Sequence, residues 1–252
     1  MNRFVFPAGV AVERGRAPAR VRRRVPAGAR LALGLIIALG SAANAHADSP
    51  LPRTGAVLYG ACAGCHGAQG QGDPAQGAPN IAGLDADYVE RQLRHFAAGL
   101  RGGTGSDSYA ARMRAGLAAA LSGAPDAAYP TLAAYVSRLP PVPAPAGADA
   151  QRSPAALASG RNYYNAICSA CHGSKGLGNA ALGAPRLAGT DGAYLRRQLA
   201  AFRSGVRGTH PDDVQGAQMR RMLLGLPGPQ TDRDILAYIA GLAPAPAAGT
   251  AP

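Results

Sequence analysis

What most constrains this chain is a repeat. Residues 62–113 align with residues 168–219 at a constant offset of 106, without a gap. The first copy begins CAGCHGAQGQGDPAQGAPNIAGL and the second CSACHGSKGLGNAALGAPRLAGT. Both continue through Tyr88, Arg91-Gln92-Leu93, Phe96 and Arg101-Gly102, matched by Tyr194, Arg197-Gln198-Leu199, Phe202 and Arg207-Gly208, and both end at a methionine. A long, ungapped repeat calls for two similar units rather than one continuous core. The 252 residues leave room for two domains of roughly 100 residues each.

Composition places the boundaries. The Pro/Ala-rich run PPVPAPAGADAQRSP at 140–154 reads as a semi-extended linker, and the Pro/Ala tail as a disordered one. The expected layout is a first domain at 48–141, a linker at 142–153, a second domain at 154–243 and a tail at 244–252. Within each domain a short helix leads to the Cys motif (53–64 and 154–170, with Ser153 as N-cap and Pro154 in the first turn). A Gly/Pro-rich loop follows, then an amphipathic helix (86–99 and 192–205), then a loop carrying the methionine. A closing helix (126–138 and 231–242) starts near Asp126 in the first copy and Thr231 or Asp232 in the second. No alternating strand pattern stands out, so the expected fold class is all-α.

The net charge of +12 first suggests nucleic acid, but its distribution argues otherwise. Residues 1–47 carry eight Arg against Glu13, which accounts for +7 and leaves +5 for the rest. The remainder shows no basic groove with interleaved aromatics, so no nucleic-acid partner is expected. The same 47 residues read as an export signal. An Arg-rich stretch precedes the apolar run 31–40, and small residues end in Ala45-His46-Ala47 before Asp48. The run is shorter than the ~20 residues a bilayer span needs, although retention as an anchor is the alternative. The expected location is the periplasm, reached by a Sec-type route.

Cys62-Ala-Gly-Cys65-His66 and Cys168-Ser-Ala-Cys171-His172 share the spacing CxxCH. Two thiols about one helical turn apart reach the two vinyl groups on one edge of a porphyrin and form thioethers. The next residue then offers its imidazole to the iron. That is the attachment pattern of c-type haem, here twice, so two covalently bound haem c groups are expected. A thioredoxin-like CxxC needs a βαβ setting, a zinc site needs four ligands, and a disulfide is the remaining reading in an oxidising compartment.

The chain has four methionines. Met113 lies 47 residues after His66, and Met219 lies 47 after His172, so these two are the expected distal iron ligands. A thioether is a soft iron ligand, and His/Met ligation raises the potential. The competing role is core filling. His95 faces Ala201 in the repeat and His210 faces Thr104, so both histidines are expected at the surface or behind the ligands. Met222 faces Gly116 and is the weaker candidate. Pro79 and Pro185 are expected to present carbonyls to Nδ1 of His66 and His172. Arg101 and Arg207 are expected to pair with haem propionates. Gln92, Gln198, Tyr88 and Tyr194 read equally well as packing residues.

On these motifs, with the loops Gly77-Ala78-Pro79 and Gly183-Ala184-Pro185, the chain resembles the dihaem cytochrome c4 family over about residues 53–242. The resemblance implies two tandem cytochrome c-like domains, each a small helical bundle around one covalent haem. It also implies a pseudo-twofold axis that brings the propionate edges together, and a periplasmic carrier of single electrons, loosely associated with the membrane. The implied partners are redox proteins: a cytochrome bc1-type donor, a terminal oxidase or a dehydrogenase. The last helices lack the acidic start common in that family, and Gly55 stands seven positions before its Cys where Gly160 stands eight before. The rival readings are an electron-transfer subunit of a larger dehydrogenase and a dihaem peroxidase, the latter needing one haem with an open position.

Overall fold

The computed structural model describes residues 54–103, 107–142 and 153–242. The stretches expected as export signal and tail, and most of the expected linker, lie outside the described residues. All described residues fall in one compact unit, Ser49–Pro252.

The first half contains α1 (Gly55–Tyr59), α2 (Ala63–His66), α3 (Ala86–Ala97), α4 (Ser108–Ala120) and α5 (Ala128–Arg138). The second half contains α6 (Pro154–Tyr163), a π-helical stretch (Tyr164–Cys168), α7 (Ser169–His172), a 3-10 turn (Ala180–Leu182), α8 (Gly192–Ser204), α9 (Val214–Leu224) and α10 (Pro229–Ala240). The described residues hold helices and two isolated bridges, Asp73 with Ala78 and Asn179 with Ala184, consistent with the all-α expectation.

Aspartates at repeat-equivalent positions start the two central helices of each half. The Asp85 side chain accepts from Tyr88 N at 3.0 Å and Asp191 from Tyr194 N at 2.7 Å. Asp107 accepts from Ala110 N at 3.0 Å and Asp213 from Gly216 N at 2.9 Å. Each bond satisfies an amide that the helix leaves without a partner and places a negative charge at its positive end.

In each half the lead and closing helices pack together, α1 on α5 and α6 on α10, and α3 and α8 lie against the closing helices. The first core gathers Leu58, Tyr59, Leu93, Phe96, Leu132 and Val136. The second gathers Tyr164, Phe202, Leu223, Ile235, Leu236 and Ile239.

Several expectations need correction. Both methionines sit on helices, α4 and α9, not in loops. The Asp caps explain this, since they start those helices six residues before each methionine. The first lead segment is broken between Tyr59 and Ala63. Asp126 does not cap α5: Ala127 holds that position, and the Asp126 carboxylate takes two bonds from Arg94 instead. The last helix starts at Pro229 behind Gly228, so Thr231 and Asp232 lie inside it. Of the two histidines expected at the surface or behind the ligands, His95 is buried and His210 is exposed.

Candidate functional site

In each half a tight loop delivers a carbonyl to the histidine of the Cys motif. Asp73 N donates to Ala78 O and Ala78 N to Asp73 O, at 2.9 and 3.0 Å. Asn179 and Ala184 repeat the pair at the same distances. These pairs close the turn just before the proline, and Pro79 O then lies 2.9 Å from His66 Nδ1 and Pro185 O 2.8 Å from His172 Nδ1. A carbonyl only accepts, so Nδ1 carries the hydrogen and Nε2 keeps its lone pair for a metal. Burial pulls both imidazoles below their ordinary pKa, partly offset by the prolyl carbonyls, which keeps them neutral. Glycine is needed at Gly72 and Gly178. Their φ angles are +82° and +86°, and a Cβ there would meet the following strand of loop at 2.6 and 2.7 Å.

One cavity of about 400 Å³ is lined by both sets of residues: Cys62, Cys65, His66 and Met113 from the first half, and Cys168, Cys171, His172 and Met219 from the second. All four thiols are free. Burial pushes the Cys62 thiol up and that of Cys168 up to about 11. Among the described residues no cluster of three or more His, Cys, Asp or Glu is placed to hold a metal ion.

Arg101 and Arg207 line the same cavity and are both buried. Arg101 donates to Gln92 at 2.7 Å in its own half and to Gln198 at 3.2 Å across the boundary. Arg207 donates to Gln198 at 2.6 Å and to Gln92 at 3.3 Å across it. Burial, with Arg101 nearby, pulls the Arg207 pKa down to about 10. The Nε atoms of both arginines are buried without a partner. Two buried guanidiniums side by side favour anions between them, so the cavity fits a cofactor that brings carboxylates. The donor set fits haem as well: an imidazole and a thioether for the iron, and two thiols for the porphyrin edge.

Sequence reasoning missed the ties between the halves. Arg91 donates to Gly183 O at 2.6 Å, and Arg197 to Gly77 O at 2.8 Å. Arg186 donates to Ala82 O at 2.7 Å. The signal was present in Arg-Gln-Leu, identical in both copies although ligation needs none of the three.

Comparison with known proteins agrees with this geometry. The Cytochrome c family matches twice in tandem, over residues 53–140 and 157–243. The thiosulfate dehydrogenase electron acceptor of Stutzerimonas stutzeri (strain A1501) is 39% identical over 64% of this chain and 72% of its own length. Reduced cytochrome c4 from Pseudomonas stutzeri superposes with a TM-score of 0.57 at 26% identity, over 75% of this chain and 96% of that one. Thiosulfate dehydrogenase (TsdBA) from Marichromatium purpuratum gives a TM-score of 0.55 at 30% identity, over 74% of this chain but 39% of that one. The two cytochrome c domains carry two covalently bound haem c groups, and the chain belongs to the cytochrome c family as a dihaem electron carrier of the cytochrome c4 type.

Proposed function

We propose that this carrier accepts single electrons from a periplasmic dehydrogenase that oxidises thiosulfate and passes them to a further redox protein, such as a terminal oxidase. His66 and Met113 ligate the first iron, and His172 and Met219 the second. The Cys62/Cys65 and Cys168/Cys171 pairs form the thioethers. The observation that carries the reading is the cavity lined by both ligand sets, so two haems held by them would share one enclosure. The similarity to a thiosulfate dehydrogenase electron acceptor supports the donor.

The haem supplies reversible one-electron chemistry, and the chain does the rest. Pro79 and Pro185 fix the rings of His66 and His172 and hold the proton on Nδ1. Arg101 and Arg207 receive the propionates. The apolar residues Leu93, Phe96, Leu195 and Phe202 around the cavity keep water from the porphyrin faces. His66 with Met113, and His172 with Met219, would give each iron two protein ligands, which favours the carrier reading over a peroxidase.

The oxidised protein should show two low-spin haems with the far-red Met-to-iron band. Met113→Ala and Met219→Ala should each abolish half of that band and leave attachment intact. A band unchanged in both variants overturns the ligand assignment. A thiosulfate-oxidising dehydrogenase, supplied with thiosulfate, should reduce both haems within its own turnover time. If it reduces neither, the donor is wrong while the carrier reading stands.

A further inference from the structure

The ties between the halves are reciprocal: Arg91 is answered by Arg197, and Arg101–Gln198 by Arg207–Gln92. Other contacts have no counterpart: Arg186 reaches Ala82 O where the equivalent position is Asn80, and a second involves a titratable pair. His95, on α3 of the first half, places Nδ1 at 3.7 Å from Asp213 Oδ1 in the second half. The positions equivalent to these two are Ala201 and Asp107, so a matching pair is impossible. The two side chains are 10% and 5% exposed, and His95 Nδ1 has no hydrogen-bond partner. At 3.7 Å the gap is too long for a hydrogen bond, so the nitrogen is an orphan aimed at a buried carboxylate. That carboxylate caps α9, the helix bearing Met219, and lines the haem cavity.

We propose that His95 and Asp213 form a proton-binding pair at the boundary between the halves, through which the reduction potential of the second haem follows pH. The proposal rests on His172 and Met219 as ligands of that haem. When the second iron takes one electron from the donor protein, the local charge falls by one. A proton from solvent then binds the His95 imidazole and forms an imidazolium against the carboxylate. Loss of the electron to the acceptor releases the same proton, and no other bond changes.

The charges around His95 set the direction. Asp213 favours the imidazolium. Arg91 on the same helix, and Arg101 and Arg207 from the loops after α3 and α8, oppose it. Asp87, Glu90 and Arg94 line the shallow solvent-side groove that His95 shares, which gives the proton a path. Burial is the largest influence and keeps the imidazole neutral at neutral pH. Coupling therefore shows on the acid side of about pH 6.5, the ordinary histidine value.

The test is a redox titration of the full-length holoprotein between pH 5 and 8, following the haem methyl NMR signals of each haem separately. The second haem should become easier to reduce as pH falls, by about threefold in its electron-exchange constant, or about 28 mV at 59 mV per tenfold. His95→Gln should remove this dependence. Asp213→Asn keeps a capping side chain and should move the dependence to lower pH. The His95 ring signals should titrate at higher pH in the reduced than in the oxidised protein. An unchanged slope in His95→Gln, a dependence confined to the first haem, or one His95 titration common to both redox states overturns the proposal. Failure of the ligand assignment is read separately, as a far-red band left intact by Met219→Ala, and it overturns the proposal with it.

Discussion

The two halves reach the same attachment turn by different routes. In both, a buried tyrosine stands where the lead helix gives way: Tyr59 is the last residue of α1, and Tyr164 opens the stretch after α6. Tyr59 donates to Gly67 O at 2.6 Å and Tyr164 to Gly173 O at 2.7 Å. Each ring lies 5.3 Å from a tyrosine of the closing helix, Tyr135 or Tyr238. Glycine stands four positions before each tyrosine, at Gly55 and Gly160. The register changes only after the tyrosine: Cys62 follows Tyr59 by three, and Cys168 follows Tyr164 by four. The first half crosses this interval with a broken helix, the second with the π-helical stretch Tyr164–Cys168. A π turn takes up one extra residue without ending the helix. The contacts at both ends are fixed, and the backbone between them absorbs the insertion.

The largest effect expected from this comparison lies at the glycines where lead and closing helices cross. A Cβ on Gly160 would sit 1.9 Å from the Asp234 carbonyl oxygen, which is backbone. On Gly55 it would meet the Tyr135 Cβ at 2.5 Å and the Thr131 oxygen at 2.9 Å. Gly160→Ala should cost about 3 kcal/mol and Gly55→Ala less, since overpacking costs that much where neighbours do not yield. Chemical denaturation of the two holoproteins measures both. Equal losses would mean that the second crossing is no tighter than the first.

The next effect separates the two ion pairs that hold α3 and α8 to the end of their halves. Arg203 meets Asp232 at 2.5 and 2.7 Å, with side chains 20% and 10% exposed. Arg94 meets Asp126 at 2.7 and 3.0 Å, but the Asp126 side chain is 79% exposed. Asp232→Ala should cost about 2 kcal/mol, the range for a charge-assisted bond lost inside the protein. Asp126→Ala should be close to neutral, because water and salt already screen the exposed pair. Thermal unfolding of the two variants checks the order, and a larger loss for Asp126→Ala would reverse it.

A smaller effect tests the π turn itself. Ala166 is exposed within the stretch. Deleting it restores the three-residue interval of the first half. If the turn merely stores an insertion, both haems should still attach and stability should change by about 1 kcal/mol or less, as for surface changes that break no contact. Loss of the second haem, seen by mass, would show instead that the attachment turn depends on the π geometry.

Much of this was readable in the sequence because haem attachment demands residues at fixed spacing. The two CxxCH motifs, the loop prolines and the paired methionines all stand at one offset, and the structure brings them around one cavity. The glycine-to-cysteine spacing also revealed that the lead helices differ, but a π turn is invisible until the tyrosine contacts fix which residue is extra. The methionine helices do not stand out in the sequence because their apolar pattern is weak, and the Asp107 and Asp213 caps that start them are a purely local signal. Nor could the sequence reveal what His95 faces. An alignment of the halves pairs it with Ala201, whereas its partner Asp213 is aligned with Asp107. A contact between non-equivalent positions of a repeat leaves no trace in the repeat.

That unmatched contact yields the smallest prediction, since a single proton is involved. Burial and the three nearby guanidiniums hold the His95 pKa below its ordinary value of about 6.5, despite Asp213. As pH falls, the unfolded chain therefore binds this proton before the folded one does. The stability tied to neutral His95 is fully present above the unfolded value and is lost as pH falls from about 6.5 through the folded value. His95→Gln has no such proton, so its unfolding free energy should decline less between pH 7 and pH 5 than that of the parent. The difference between the two curves isolates His95 from every other group that titrates in this window, including carboxylates common to both proteins. Because Ala201 occupies the equivalent position, the acid sensitivity enters from one side of the boundary only. Curves that run parallel from pH 7 to pH 5 would show that His95 exchanges its proton as freely in the folded protein as in the unfolded chain, and the two sides of the boundary would then be equivalent towards acid.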